Sequence, residues 1–177
     1  MPRHLYEGGG MKTTIQGKVF KFGDNINSDI IIPGRYMIYI DEERLSQHAF
    51  EVLGDEFPAK LRNYQILVAG RNFGCGSARE QASTAIRGLG INAVVASSFS
   101  RTFYRNAIND GLPIMECPDL HAAVEEGDDL RIDLAQALIF HRDRQYSFPR
   151  RTISAWYSLK RGASAGRLSS KRDLSSS

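Results

Sequence analysis

Ser77, Arg79 and Glu80 sit together in Gly70–Gln81, GRNFGCGSAREQ, with Gly74, Cys75 and Gly76 immediately ahead of them. Four kinds of chemistry fit residues of these types. A phosphate-binding P-loop needs a Lys after its last Gly, and none follows Gly76. The dinucleotide fingerprint G-x-G-x-x-G also fails, because Arg79 stands where the third glycine belongs. Cys75 as a nucleophile would gain from a helix N-terminus, but no His lies near it in the chain, and a small buried packing residue fits better. Ser77 is open to two readings. With Glu80 it forms a capping box, Ser-x-x-Glu, a commoner pattern than a catalytic serine. Alternatively its hydroxyl reacts: glycines let a ligand approach the backbone, and a helix start offers free amides to an anion. Arg79 adds a planar fork suited to a carboxylate. No general base to activate Ser77 is visible in this chain.

The elements around this loop alternate. Gln65–Ala69 reads as a strand leading into the loop, and Ala78–Leu89 as a helix closed by Gly90. Ala93–Ser97, Ser100–Asn109, Pro113–Cys117 and Leu120–Glu126 continue the strand–helix rhythm. The Ser100–Asn109 helix turns Phe99, Phe103, Ala107 and Ile108 inward, which leaves Arg101 and Arg105 on its outer face. Ahead of the loop, Thr14–Phe22 alternates as a strand, and Asp41–Gly54 carries the cap, early acids and apolar spacing of a helix. Between them IIIPGRYMIYI reads as a buried strand bent at Pro33-Gly34. Leu130–Leu134, Ala137–His141 and Gln145–Phe148 suggest a closing antiparallel region. The expected fold class is α/β, a partly parallel sheet with flanking helices and additional β structure.

Composition narrows the function. The chain of 177 residues has a net charge of +3, but Ser158–Ser177 alone contributes +4, from Lys160, Arg161, Arg167, Lys171 and Arg172 against Asp173. The remainder is close to −1, which is not a nucleic-acid-binding surface. The tail lacks the apolar residues to offset its ordering entropy and reads as a solvated, disordered extension, with a grip on an acidic partner as the alternative. Met11 resembles a domain start, so residues 1–12 read as a disordered or mis-started extension and 13–157 as one domain. No apolar run suits a signal peptide or a membrane span, so a reduced, cytoplasmic setting is expected. Two cysteines, Cys75 and Cys117, cannot hold an iron–sulfur cluster, and the four histidines lack metal-ligand spacing.

Three segments in order, FGDNINSDIIIPGRY, NFGCGSAREQA and ASSFSRTFYRNAINDGLPIMEC, together resemble the small subunits of 3-isopropylmalate dehydratases, in the aconitase superfamily. The resemblance runs from about Lys18 to about Pro118 and implies the swivelling β/β/α domain of aconitase. It also implies a large partner subunit, in a heterodimer or heterotetramer, that carries a [4Fe–4S] cluster; no cofactor is expected in this chain itself. The reaction implied is isomerisation of 2-isopropylmalate to 3-isopropylmalate, through loss and re-addition of water, in leucine biosynthesis. Motif by motif, Ser77 falls on the family's catalytic serine and Arg79 on the arginine that binds a substrate carboxylate. The Ala78 amide would stabilise negative charge on that carboxylate, and Asp29 would orient the reacting centre. The usual loop reads G-S-S-R-E-H, so Ala78 and Gln81 depart from it, while Ser28-Asp29 keeps the hydroxyl of the usual Thr-Asp. The segment RRTISAWYSLKRG does not resemble the family's closing helix. Residues after the Pro-Gly turn, Tyr36, Ile38 and Tyr39, fall on the loop over the substrate's variable side chain. Homoaconitase-type chains carry an arginine where Ile38 stands. An apolar Ile38 suits an isopropyl group, whereas a distal carboxylate would remain unpaired there. The small hydroxy-dicarboxylate substrate is thus expected to be apolar at its far end; homoaconitase-type and methyl-substituted malate substrates, and a non-catalytic anion-binding module, are the alternatives.

Overall fold

The computed structural model describes residues 6, 7, 10, 11, 13–155 and 157. Strands β1 (Tyr6–Glu7) and β2 (Gly10–Met11) pair with each other, antiparallel, in a sheet separate from the main one. The main sheet contains β3 (Thr14–Lys21), β4 (Ile66–Ala69), β5 (Ala93–Ala96), β6 (Ile114–Glu116), β7 (Asp129–Asp133), β8 (Leu138–His141) and β9 (Arg144–Ser147). Their order is β6-β5-β4-β3-β7-β8-β9. Strand β3 divides its pairing. Its last residues run parallel to β4, with Val19 opposite Ile66, and its first residues run antiparallel to β7, with Ile15 opposite Ile132. The sheet is therefore parallel on one side of β3 and antiparallel on the other, as the alternating and terminal patterns anticipated.

Strands β4 (ILVA) and β5 (AVVA) are buried along their whole length because both sheet faces are covered, which is why they read as unbroken apolar runs. Their side chains alternate between two cores. Leu67, Ala69, Val94 and Ala96 join Phe20, Phe22, Ile31, Leu45, Phe50, Phe73 and Phe103 on one face. Ile66, Val68, Ala93 and Val95 join Val19, Met115, Leu120, Leu130 and Ile139 on the other. Helices α4 (Gln81–Gly88) and α5 (Arg101–Asp110) cover the first face through Ala85, Ile86, Phe103 and Ala107. Helix α6 (Pro118–Ala123), started by Pro at its first position, covers the second through Leu120. Each large side chain so buried stabilises the fold by about 1.5–3 kcal/mol. Helix α5 follows its expected punctuation: the Ser100 hydroxyl accepts from Phe103 N, and Gly111 ends it in the left-handed region.

Two expectations need correction. Asp41–Gly54 is not one helix: α2 (Glu42–Ser46) ends early, and a 3-10 turn, Glu51–Leu53, follows. Residues 47–50 form turns after α2, and Phe50 takes φ 61° there, with its side chain fully buried and its amide donating to the Ile31 carbonyl at 2.9 Å. Burial of the ring outweighs the cost of left-handed backbone, about 1–2 kcal/mol. Of the apolar residues in that stretch, Leu45 and Ala49 are buried, whereas Val52 and Leu53 are exposed. The run Ile30–Ile40 is likewise no strand: it forms α1 (Ser28–Ile31) and a 3-10 turn, Gly34–Tyr36. Ile31 and Ile32 are buried, whereas Ile38 and Ile40 are 81% and 89% exposed. Helix α3 (Phe57–Leu61) then leads into β4.

Polar contacts lock these pieces. Arg87 of α4 reaches Glu42 Oε2 of α2 at 2.6 Å and Asp110 Oδ1 of α5 at 3.0 Å, so one guanidinium ties three helices. Residues 150–155 and 157 are helical. There Thr152 accepts from Tyr104 Oη at 3.2 Å, and Thr152 and Ile153 line a small cavity with Ile114 and Met115 of β6. The tail 158–177, and His4 and most of the extension at 1–12, lie outside the described residues.

On the antiparallel side His141 is buried, with Nε2 2.8 Å from Asp128 Oδ2. Asp128 also accepts from Glu125 N at 3.0 Å and Arg142 Nη2 at 3.4 Å. The Glu125 amide, helped by His141 and Arg142, outweighs burial and holds the Asp128 carboxyl below its usual range. A depressed carboxyl adds stability above its unfolded pKa and loses it as pH falls through the folded one. Asp128→Asn is expected to cost about 1–2 kcal/mol at pH 7. The gap to the wild type should close as pH falls below 3.8, the ordinary Asp value, when both are followed by urea unfolding.

Candidate active site

Strands β3 and β4 are parallel neighbours, so the segments leaving their C-terminal ends emerge side by side beyond the same edge of the sheet, where ligand sites of open α/β sheets lie. Backbone bonds pair these segments in sequence. Gly70 N donates to Gly23 O at 3.0 Å, Asn25 N to Arg71 O at 2.8 Å, Gly74 N to Ile26 O at 2.7 Å and Ser28 N to Cys75 O at 2.8 Å. From the far side the segment after β5 closes in: Phe73 N donates to Ser98 O at 3.0 Å, and Ser100 Oγ to Gly74 O at 2.8 Å. The glycine loop is thus clamped between two neighbours. Gly74 makes this possible, with φ +79° and a position where a Cβ would lie 2.3 Å from Phe103 Cβ.

Asn27 caps α1 by accepting from Ile30 N at 2.9 Å, which sets Ser28 and Asp29 at its first turn. Ser28 is buried and donates from Oγ to the Ser77 carbonyl at 2.7 Å. That bond, following left-handed Gly76, draws residues 77–79 across α1 and delays the helix. Helix α4 consequently begins at Gln81, preceded by Glu80 in helical conformation without a side-chain cap bond. The expected capping box is absent, and Ser77 and Ala78 are exposed ahead of the first turn, so the Ala78 amide is not at the helix N-terminus. Cys75 is half-buried and not in the core, while Cys117 is buried with its thiol raised by burial.

Arg79 and Asp29 do come together. Arg79 Nη1 donates to Asp29 Oδ1, and also to the Ile32 carbonyl at 3.1 Å. The guanidinium side chain is 17% exposed and Asp29 is 63% exposed. Gly34 packs on its other nitrogen, since a Cβ there would sit 3.2 Å from Nη2. Among the described residues Nη2 and Nε have no hydrogen-bond partner, so part of the fork stays available for a carboxylate. Asp29 and Arg79 are thus paired, and Ser77, two residues before Arg79, is exposed.

The loop bearing Tyr36, Ile38 and Tyr39 is held separately. Gln81 Nε2 donates to the Met37 carbonyl at 3.4 Å. Tyr36 stacks on His48 at 3.8 Å between ring centres, and Tyr39 lies nearly parallel to Tyr36 at 6.3 Å. Tyr36 Oη and Arg35 Nη2 both donate to Glu51 Oε1 at 2.5 Å, and His48 Nδ1 lies 2.8 Å from Glu51 Oε2. Burial would raise the Glu51 carboxyl, but bonds from Tyr36, His48 and Arg35 outweigh it and hold it below its ordinary value. Ile38 projects outward from this framework. His48 and Glu51 were missed from sequence; the i,i+3 spacing of a base and an acid was the available signal, hidden inside what read as a plain helix.

The aconitase C-terminal domain matches residues 19–119. A 3-isopropylmalate dehydratase small subunit of Pyrobaculum calidifontis is 51% identical over 125 residues, 71% of this chain and 77% of that protein. The chain belongs to the aconitase C-terminal domain family. An isopropylmalate/citramalate isomerase small subunit of Methanocaldococcus jannaschii is 47% identical over 124 residues, 70% of this chain and 74% of that protein. A solved 3-isopropylmalate dehydratase structure from the same organism superposes with a TM-score of 0.72 at 35% identity, covering 87% of this chain and 99% of that one. The region matched by the aconitase C-terminal domain contains Asp29, Tyr36, Ile38, Tyr39, His48, Glu51, Ser77, Ala78 and Arg79, while β7, β8 and β9 lie beyond it. Among the described residues no three His, Cys, Asp or Glu side chains gather into a metal site, and no helix is long and apolar enough to cross a membrane.

Gly74→Ala is expected to lower stability by about 2–4 kcal/mol, because a positive φ and overlap with Phe103 act together. A shift in the urea midpoint checks this, with Val52→Ala on the exposed turn as a control of little effect.

Proposed function

We propose that this chain is the small subunit of a 3-isopropylmalate dehydratase, a hydro-lyase subunit in leucine biosynthesis that works with a large subunit bearing a [4Fe–4S] cluster. The observation that carries the reading is the Asp29–Arg79 pair beside the exposed Ser77, in a chain about half identical to small subunits of that name. Arg79 binds a substrate carboxylate through the part of its fork that Asp29 and Ile32 leave free. Asp29 keeps the guanidinium oriented and extends toward the reacting centre. Ser77 Oγ takes the proton from the carbon next to the bound carboxylate and returns it on the neighbouring carbon, and the Arg79 charge stabilises the carboxylate as negative charge grows on it. When bound in the large subunit, the cluster supplies a Lewis acid for the hydroxyl that leaves and returns. The two free cysteines of this chain are not a cluster-ligand set.

The substrate's variable end lies against Ile38, an apolar contact that suits isopropyl. A methyl-substituted malate is the second reading, favoured by the likeness to an isopropylmalate/citramalate isomerase small subunit, since one apolar wall accepts both groups. A non-catalytic anion-binding module is less well supported, because it relied on Ser77 as a helix cap. A cytoplasmic location and a heterodimer or heterotetramer complete the proposal.

Reconstituted with its large subunit, the Ser77→Ala chain is expected to lose about 10²–10⁴-fold in kcat with little change in KM. Full retained activity would reject Ser77 as the base. Ile38→Arg is expected to shift preference from 2-isopropylmalate toward a substrate with a distal carboxylate by about tenfold or more in relative kcat/KM, and an unmoved ratio would sink the apolar-wall argument.

A further inference from the structure

Glu51 occupies an unusual position for a residue outside the Asp29–Arg79 cluster. After α2 ends at Ser46, the left-handed residue Phe50 leads into the turn Glu51–Leu53, and the Glu51 side chain reaches the loop that follows Pro33-Gly34. Its carboxylate is only 16% exposed yet accepts from three groups: Arg35 and Tyr36 on one oxygen and His48 on the other. Phe50, fully buried and bonded to Ile31, makes this anchor rigid. The start of the loop is therefore held at two adjacent residues, Tyr36 by Glu51 and Met37 by Gln81.

The charge balance around the loop follows from that anchor. Three cations bear on it. Arg79 is paired with Asp29 and, in the reading above, gives its remaining donors to the first substrate carboxylate, and Arg44 lies over the Tyr39 ring with Nε 3.8 Å from Asp41. Arg35 precedes Tyr36 and is two-thirds exposed; Glu51 neutralises it, and its guanidinium lies 4.8 Å from the Tyr36 ring centre. With Arg35 drawn to Glu51, each of these three cations is paired with an acid, and Ile38 stands exposed on the loop. A ligand group bearing a second anion would then lose its hydration without gaining a partner.

We propose that Glu51 is a specificity-determining positioning residue: by clamping Arg35 and Tyr36 it keeps the substrate wall at Ile38 apolar and excludes substrates with a distal carboxylate. This rests on the functional reading above, which places the loop over the variable end of the substrate.

Glu51→Gln keeps the shape and the acceptor for Tyr36 but removes the charge that holds Arg35. In the reconstituted two-subunit enzyme, the ratio of kcat/KM for a hydroxy-tricarboxylate of the homocitrate class to that for 2-isopropylmalate is expected to rise about tenfold, mainly through KM for the tricarboxylate. Adding Arg35→Ala should return the ratio to the wild-type value, a reversal that a purely structural effect of Glu51 would not produce. If Glu51→Gln does not fold, judged by its thermal midpoint, Glu51→Asp draws the carboxylate back by one methylene and should raise the ratio about threefold. A ratio that moves less than twofold, or a rise that survives loss of Arg35, overturns the role of Glu51. Absence of 2-isopropylmalate turnover in the wild-type pair overturns the functional reading itself, which keeps the two failures distinct.

Discussion

Two backbone hydrogen bonds, Gly74 N to the Ile26 carbonyl and Ser28 N to the Cys75 carbonyl, hold the segment after β3 against the segment after β4, and the candidate site depends on them. Without that pairing Asp29 and Arg79, fifty positions apart in the chain, would have no reason to meet. The bonds are possible because β3 and β4 are parallel and adjacent, so their exits are level, and because Gly74 allows the chain to pass against Phe103. A single steric allowance in the first core thus governs the electrostatics at the surface.

The same pairing explains why Ser77 is presented as it is. Had the chain entered α4 directly, the serine hydroxyl would be occupied by backbone amides, as the Ser-x-x-Glu pattern suggests. Ser28 instead holds the Ser77 carbonyl, which leaves the hydroxyl outside the helix and exposed. Arg79 has only part of its donor set engaged, and Asp29 is exposed, so the pair is oriented but not closed. Side chains that are fixed on one side and open on the other suit a site that another surface completes.

Much of the fold was legible because local and tertiary signals agreed. The alternating β3 pattern, the apolar runs of β4 and β5, and the Ser100 and Gly111 ends of α5 all appear where punctuation placed them. The misreadings share one cause, tertiary demand overriding local propensity. Phe50 is drawn into the core on left-handed backbone, Ile38 and Ile40 are apolar but outside, and Ser28 pulls Ser77 out of a cap. At the site, Ser77, Arg79 and Asp29 carried a motif. Glu51 and His48 did not, because their meaning lies in a loop that the chain brings back from earlier positions.

Both borders of the seven-stranded sheet are blunted. Strand β6 has three residues and lies under the helical residues 150–155, while β9 exposes Arg144, Gln145 and Ser147. A long, flat, apolar border would offer a template for another copy to pair with, and neither border is of that kind. If a different polypeptide finishes the site, as proposed, the chain spends time alone between synthesis and assembly. These guarded margins reduce the routes to aggregation during that interval, at a distance from the residues that would do the chemistry.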